Sequence, residues 1–118
     1  MTPMKYRGSC HCGQVAYEVE GEISGVISCN CSMCQRKGSL LWFVPRESLT
    51  LLTPENASSV YKFNKHVIAH HFCPSCGIHP YGEGRDPQGR AIAAINIRTL
   101  EDVDLAEIAV TPFDGRSK

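Results

Sequence analysis

The chain has 118 residues, of which 42 % are apolar and 20 % charged, the balance of one globular domain and not of a disordered or fibrous chain. Twelve basic residues offset twelve acidic ones, so no cationic field for nucleic acid is expected. No apolar stretch approaches the ~20 residues that span a bilayer.

The start, Met1 to Gly8, is basic but lacks the apolar segment of a secretory leader, so the expected location is cytoplasmic, where thiols stay reduced. Val15, Tyr17 and Val19 alternate with polar or small residues, the period of a half-buried strand between Gly13 and Gly21. Val26 to Ser28 is a short β-prone stretch. Ser32 and Gln35 have the spacing of a capping box and Gly38 that of a stop, which predicts one or two helical turns over Ser32 to Lys37. Leu40 to Val44, closed by Pro45, and Leu49 to Leu52 read as strands. Ser59 to Phe63 alternates, and Val67 to Phe72 continues as a strand.

Tyr81 to Arg90, rich in Gly, Pro and charge, reads as an exposed loop. Ala91 to Ile97 is a nearly unbroken apolar run, the pattern of a strand buried on both faces. Thr99 is placed to cap a turn through Asp102, and the remainder has some β character. No repeat or linker divides residues 1–118, so a single domain is expected. Its class is mostly β, with several short antiparallel sheets and one or two helical turns.

The seven cysteines fall into three groups: Cys10-His11-Cys12, then Cys29, Cys31 and Cys34, then Cys73-Pro74-Ser75-Cys76. An odd number cannot pair off, and a reducing compartment would not keep disulfides. Two cysteines two or three residues apart on a tight turn can aim both sulfurs at one point, and tetrahedral zinc takes four such ligands. Cys73-x-x-Cys76 before Gly77 and Cys10-x-Cys12 before Gly13 make two plausible halves of a closed four-thiolate site. Cys29, Cys31 and Cys34 supply three ligands, the number a catalytic zinc has when its fourth position stays open.

Other readings remain at this stage. The cysteines could form disulfides, or the four-cysteine group could bind iron as in rubredoxin. One of His66, His70, His71 and His79 could close the three-cysteine site and make it structural. Spacing alone does not say which groups share an ion. Trp42 and Phe43 read as core residues, and His11 as pointing away from the metal.

Taken together, Ser9-Cys10-His11-Cys12-Gly13, the stretch Cys29 to Gly38, and Phe72-Cys73-Pro74-Ser75-Cys76-Gly77 resemble the glutathione-dependent formaldehyde-activating enzyme (GFA) family, which includes centromere protein V. Asn96-Ile97-Arg98, the Leu100-to-Leu105 turn and Phe113-Asp114-Gly115 resemble that family's closing segment. Ile78-His79-Pro80 departs from its usual pattern. The resemblance implies a mostly-β fold, a structural zinc on Cys10, Cys12, Cys73 and Cys76, and a catalytic zinc on Cys29, Cys31 and Cys34. That makes two zinc ions per chain. It also implies carbon–sulfur lyase chemistry, the joining of glutathione and formaldehyde into S-(hydroxymethyl)glutathione.

A thiol entering the open position would lose its proton at neutral pH. Arg36 and Lys37 are candidates for holding the carboxylates of a glutathione-like substrate. The competing reading is a non-catalytic zinc module that binds a thiol ligand or a protein partner. The sequence leaves the oligomeric state open.

Overall fold

The computed structural model describes residues 4–30, 32–62, 68–101 and 103–114, and within the helix it leaves the side chains of Ser32 and Cys34 undescribed. Among the described residues, ten strands and one short α-helix follow one another: β1 (Met4–Ser9), β2 (Ala16–Gly21), β3 (Val26–Cys29), α1 (Ser32–Lys37), β4 (Leu41–Pro45), β5 (Leu49–Leu51), β6 (Ser59–Tyr61), β7 (Ala69–Phe72), β8 (Tyr81–Arg85), β9 (Ala91–Asn96) and β10 (Val110–Phe113). They form a three-stranded sheet, β1-β2-β5, and a seven-stranded sheet, β10-β3-β4-β9-β8-β7-β6. The mostly-β expectation holds. Pairing is antiparallel except where β10 runs parallel to β3. Among the described residues no helix is long and apolar enough to cross a membrane.

The hydrophobic core contains side chains from both sheets. Tyr17 and Val19 of β2 and Leu49 of β5 join Trp42 and Val44 of β4, Tyr81 of β8, and Ala93 and Ile95 of β9 in one buried cluster. Side chains alternate along a strand, so the residues between these point to the other face of the large sheet. That outer face carries Ile27, Cys29, Leu41, Phe43, Gly82 and Ala94.

Two expectations change here. Tyr81 to Arg85 is strand β8, paired on both sides, and not an exposed loop. Its glycines lower strand propensity, but Tyr81 is buried in the core, and tertiary pairing overrides the local preference. The loop proper is the turn from Asp86 to Arg90, where the Asp86 carboxylate accepts from the backbone N–H groups of Gln88 and Arg90, each at 2.9 Å. The second change is β9. Ala93 and Ile95 are fully buried, but Ile92 and Ala94 on its other face are only half-buried.

The basic start also forms a strand. β1 pairs with β2 over its whole length. Gly8 faces Tyr17 there, and a Cβ at Gly8 would overlap the Tyr17 ring. The Tyr17 ring cannot yield: it is fully buried, and its hydroxyl bonds Thr99 Oγ1 at 2.7 Å. Gly8→Ala is therefore expected to cost about 2–3 kcal/mol. In a domain of this size that lowers Tm by about 8–12 °C, a shift a thermal melt would show. An unchanged melt would mean the Tyr17 contact is not tight.

Thr99, expected to cap a turn running on to Asp102, instead ends a turn over Ile97–Thr99 that is capped by Asn96, whose side chain accepts from Arg98 N–H. The Asp102 end of that expectation lies outside the described residues, as do Phe63 and Val67.

Candidate metal centres and an adjoining cavity

Two loops bring four cysteines together. The turn after β1 folds back so that Cys10 N–H donates to Val15 C=O at 2.9 Å, and Gly13 adopts φ +85° to allow it. After β7, Gly77 N–H donates to Cys73 C=O at 2.8 Å, with Gly77 at φ +81°. A side chain at either glycine would be strained in this left-handed conformation. Ser75 Oγ donates to Gln14 Oε1 at 2.7 Å, which ties one loop to the other.

The sulfurs of Cys10, Cys12, Cys73 and Cys76 all lie within 4.8 Å of one another and form a group that can hold a metal ion. Cys10 and Cys12 are 3.7 Å apart, and Cys12 and Cys73 are 3.5 Å apart. A disulfide needs about 2.05 Å. A tetrahedral thiolate site with metal–sulfur bonds of ~2.3 Å has edges of about 3.8 Å, so the group fits a metal and not a covalent pair.

Backbone N–H groups also point at these sulfurs. Val15 N–H reaches Cys10 at 3.3 Å, and Ser75 and Cys76 N–H reach Cys73 at 3.4 Å. The backbone N–H of Ile78 pulls the Cys76 thiol down to about 6, against the opposing effect of burial. Such donors favour thiolate over thiol. His11, between two of the ligands, is exposed and takes no part in the group.

Of the second cysteine group, Cys29 alone has a described side chain. Cys29 ends β3 and is half-buried. Among the described residues it is not a member of the four-sulfur group. Cys31 and the Cys34 side chain lie outside the described residues, as does His66. The segment that carries this group is pinned to the C-terminal strand. Asn30 N–H donates to Phe113 C=O at 3.1 Å, and Asn30 Nδ2 donates to Asp114 Oδ1 at 3.0 Å. Helix α1 has the predicted bounds and Gly38 ends it at φ +69°. In its last turn, Arg36 is exposed and Lys37 half-buried.

Cys29 lines a cavity of about 170 Å³ on the outer face of the large sheet, together with Lys37, Ser39, His70 and His79. Phe43 lines it too and is 43 % exposed, so it is a wall of this cavity. The core expectation holds for Trp42 alone, which is 2 % exposed. The two side chains are neighbours on one strand and point to opposite faces.

The histidines separate in the same way. His71 packs in the core against Tyr81, with ring centroids 4.5 Å apart. Its Nε2 meets Glu83 at 2.7 Å and its Nδ1 meets Ser58 Oγ at 2.8 Å. Glu83 is also bonded by Arg46. His70 and His79 instead face the cavity, with ring centroids 5.6 Å apart. Burial, with Lys37 nearby, pushes His70 down to about 4 and His79 down to about 3. Both rings are therefore neutral at pH 7.

Asn96 holds this end of the cavity in place. Its Nδ2 donates to His79 C=O at 2.9 Å, and its Oδ1 accepts from Leu40 N–H at 3.3 Å. Arg98 Nε donates to Gly38 C=O at 3.0 Å. Asn96-Ile97-Arg98 thus fastens the segment after α1 to the segment after Cys76.

Residues 5–112 match the family described as glutathione-dependent formaldehyde-activating enzyme. A solved crystal structure of a Rhodobacter sphaeroides protein is similar, with a TM-score of 0.75 and 27 % sequence identity. The likeness covers 90 % of this chain and 97 % of that one.

Proposed function

The chain belongs to the glutathione-dependent formaldehyde-activating enzyme family, and from that premise we propose that it is a zinc enzyme joining a thiol to a small carbonyl compound. Glutathione, or a thiol like it, is the first substrate, and formaldehyde or another small aldehyde is the second. The product is an S-hydroxyalkyl thiol, and its reverse cleavage is carbon–sulfur lyase chemistry.

The observation that supports this most is the position of Cys29. It belongs to the three-cysteine group and lines a cavity, while four other cysteines form a separate group of their own. All-thiolate donor sets suit zinc. On this reading Cys10, Cys12, Cys73 and Cys76 hold one ion that closes the fold. Cys29, Cys31 and Cys34 hold a second.

A zinc held by these three residues would supply acidity, so that a bound thiol would ionise at neutral pH. The thiolate sulfur then forms a bond to the carbonyl carbon. The carbonyl π pair moves to oxygen, which takes up one proton, equal to the one the thiol released. Once the thiol is ionised, no dedicated base is required. Arg36 and Lys37, in the last turn of α1, would hold the carboxylates of glutathione on this reading. A cytoplasmic, reducing setting belongs to this reading because it keeps all seven thiols available.

The test is the rate at which glutathione, formaldehyde and their adduct reach equilibrium. Zinc-loaded protein is expected to raise it well above the rate in buffer. Equal rates with and without protein would remove the proposed activity.

A further inference from the structure

The cavity beside Cys29 is larger than formaldehyde needs. Across the large sheet, Phe43 pairs with Ala94, Ala94 with Gly82, and Gly82 with His70. Two small residues therefore lie between two large ones in a single row, and the depression over Ala94 and Gly82 is the cavity floor. Apolar side chains close its sides: Ile27, Leu41, Ile68 and Phe113. Ile68 and Phe113 are 43 % and 41 % exposed and stand at the rim.

At about 170 Å³ the space would hold roughly five or six groups of ~30 Å³ each. Formaldehyde has two heavy atoms and would leave most of it empty. Lys37 lines one part of the space and could meet a carboxylate there, but the apolar floor over Ala94 and Gly82 is a poor match for one, because a charge buried among apolar groups is costly.

His79 brings a buried polar atom to the cavity. His79 is 7 % exposed, and among the described residues its Nε2 makes no hydrogen bond. A Cβ built on Gly82 would lie 3.8 Å from that nitrogen, so the atom sits just above the cavity floor. Ser39 Oγ lies 3.3 Å from Nδ1 of the same ring. With the serine hydroxyl donating to Nδ1, the proton of the neutral ring sits on Nε2, which then offers a donor. A buried donor without an acceptor costs about 1–3 kcal/mol, and a ligand oxygen would relieve that.

Resting on the thiol–carbonyl reading above, we propose that this cavity is the subsite for the second substrate and that it selects a short apolar aldehyde over formaldehyde. The aldehyde's carbon chain lies over Ala94 and Gly82 against Phe43 and Leu41. Its oxygen accepts from His79 Nε2, with the carbonyl carbon turned toward Cys29. The reaction keeps the same balance: one C–S bond forms, the C=O becomes C–OH, and nothing is oxidised or reduced.

The test uses zinc-loaded protein and two readouts. The first is binding of pentanamide, an unreactive carbonyl probe with a five-carbon chain, followed by the NMR signals of the Ala94 methyl and the His79 ring. Pentanamide is expected to shift both, and acetamide over the same concentration range neither. The second is the ratio of pentanal to formaldehyde adduct formation. Ala94→Leu fills the floor and is expected to lower that ratio at least about tenfold. Phe43→Ala, which removes an exposed wall and leaves the core intact, is expected to move the preference toward longer aldehydes. Pentanamide binding without adduct formation from any aldehyde would reject the thiol–carbonyl reading and keep the cavity's ligand class. Unmoved Ala94 and His79 signals, or a ratio unchanged in both variants, would overturn the subsite.

Discussion

Replacing Cys73 with serine is expected to abolish cooperative folding, not merely to weaken it. Cys73 has no solvent exposure, and its sulfur accepts two backbone N–H groups. It lies 3.5 Å from Cys12, a residue 61 positions away in sequence. The group therefore staples the turn after β1 to the turn after β7. Binding of structural zinc is worth ~10–16 kcal/mol in small domains that depend on it. A whole domain of this size has a stability of only ~5–15 kcal/mol. Losing a buried ligand should remove most of that margin. Circular dichroism and a thermal melt of Cys73→Ser should show a broad or absent transition. A sharp melt near the wild-type temperature would contradict the structural role.

Cys29→Ser is expected to do the opposite. Cys29 is half-buried at the end of β3 and does not belong to the four-sulfur group. The variant should melt within a few degrees of wild type, since Cys29 is only half-buried and is not part of the hydrophobic core cluster, and a small change outside the core costs little. Its rate of adduct exchange should nevertheless fall to that of buffer, because one of three ligands to the proposed catalytic ion is gone. A wild-type rate in this variant would show that Cys29 takes no part in the chemistry. If wild type and variant both run at the buffer rate, a non-catalytic thiol-binding module becomes the better reading.

The two halves of the four-sulfur group were legible in the sequence because each cysteine pair is encoded locally, although spacing alone does not say which groups share an ion. Cys-x-Cys-Gly and Cys-x-x-Cys-Gly each specify a turn that aims two sulfurs, and no knowledge of distant pairing is needed to see it. The Gly38 stop for α1 and the alternation in β2 are local signals of the same kind. β8 was not legible. Its Gly82 and Gly84 read as loop residues, and only pairing with β7 and β9 makes them a strand.

The cavity was hidden for a related reason. The sequence shows that Ala91 to Ile97 is apolar on both sides, and the simplest account is burial on both faces. In the fold one face meets the core, and the other meets open space between Phe43 and His70. That space exists because Gly82 and Ala94 fall in register, which is a property of pairing and cannot be read from either strand alone. Phe43 and Trp42 differ by one residue, and only the sheet decides which of them meets the core.

Metal content of the purified, zinc-loaded protein tests the division of the cysteines most directly. The four-plus-three division predicts about two zinc ions per wild-type chain and about one in Cys29→Ser. One ion in wild type, unchanged in the variant, would contradict it: the fold would keep its staple, and the cysteine beside the cavity would hold no metal.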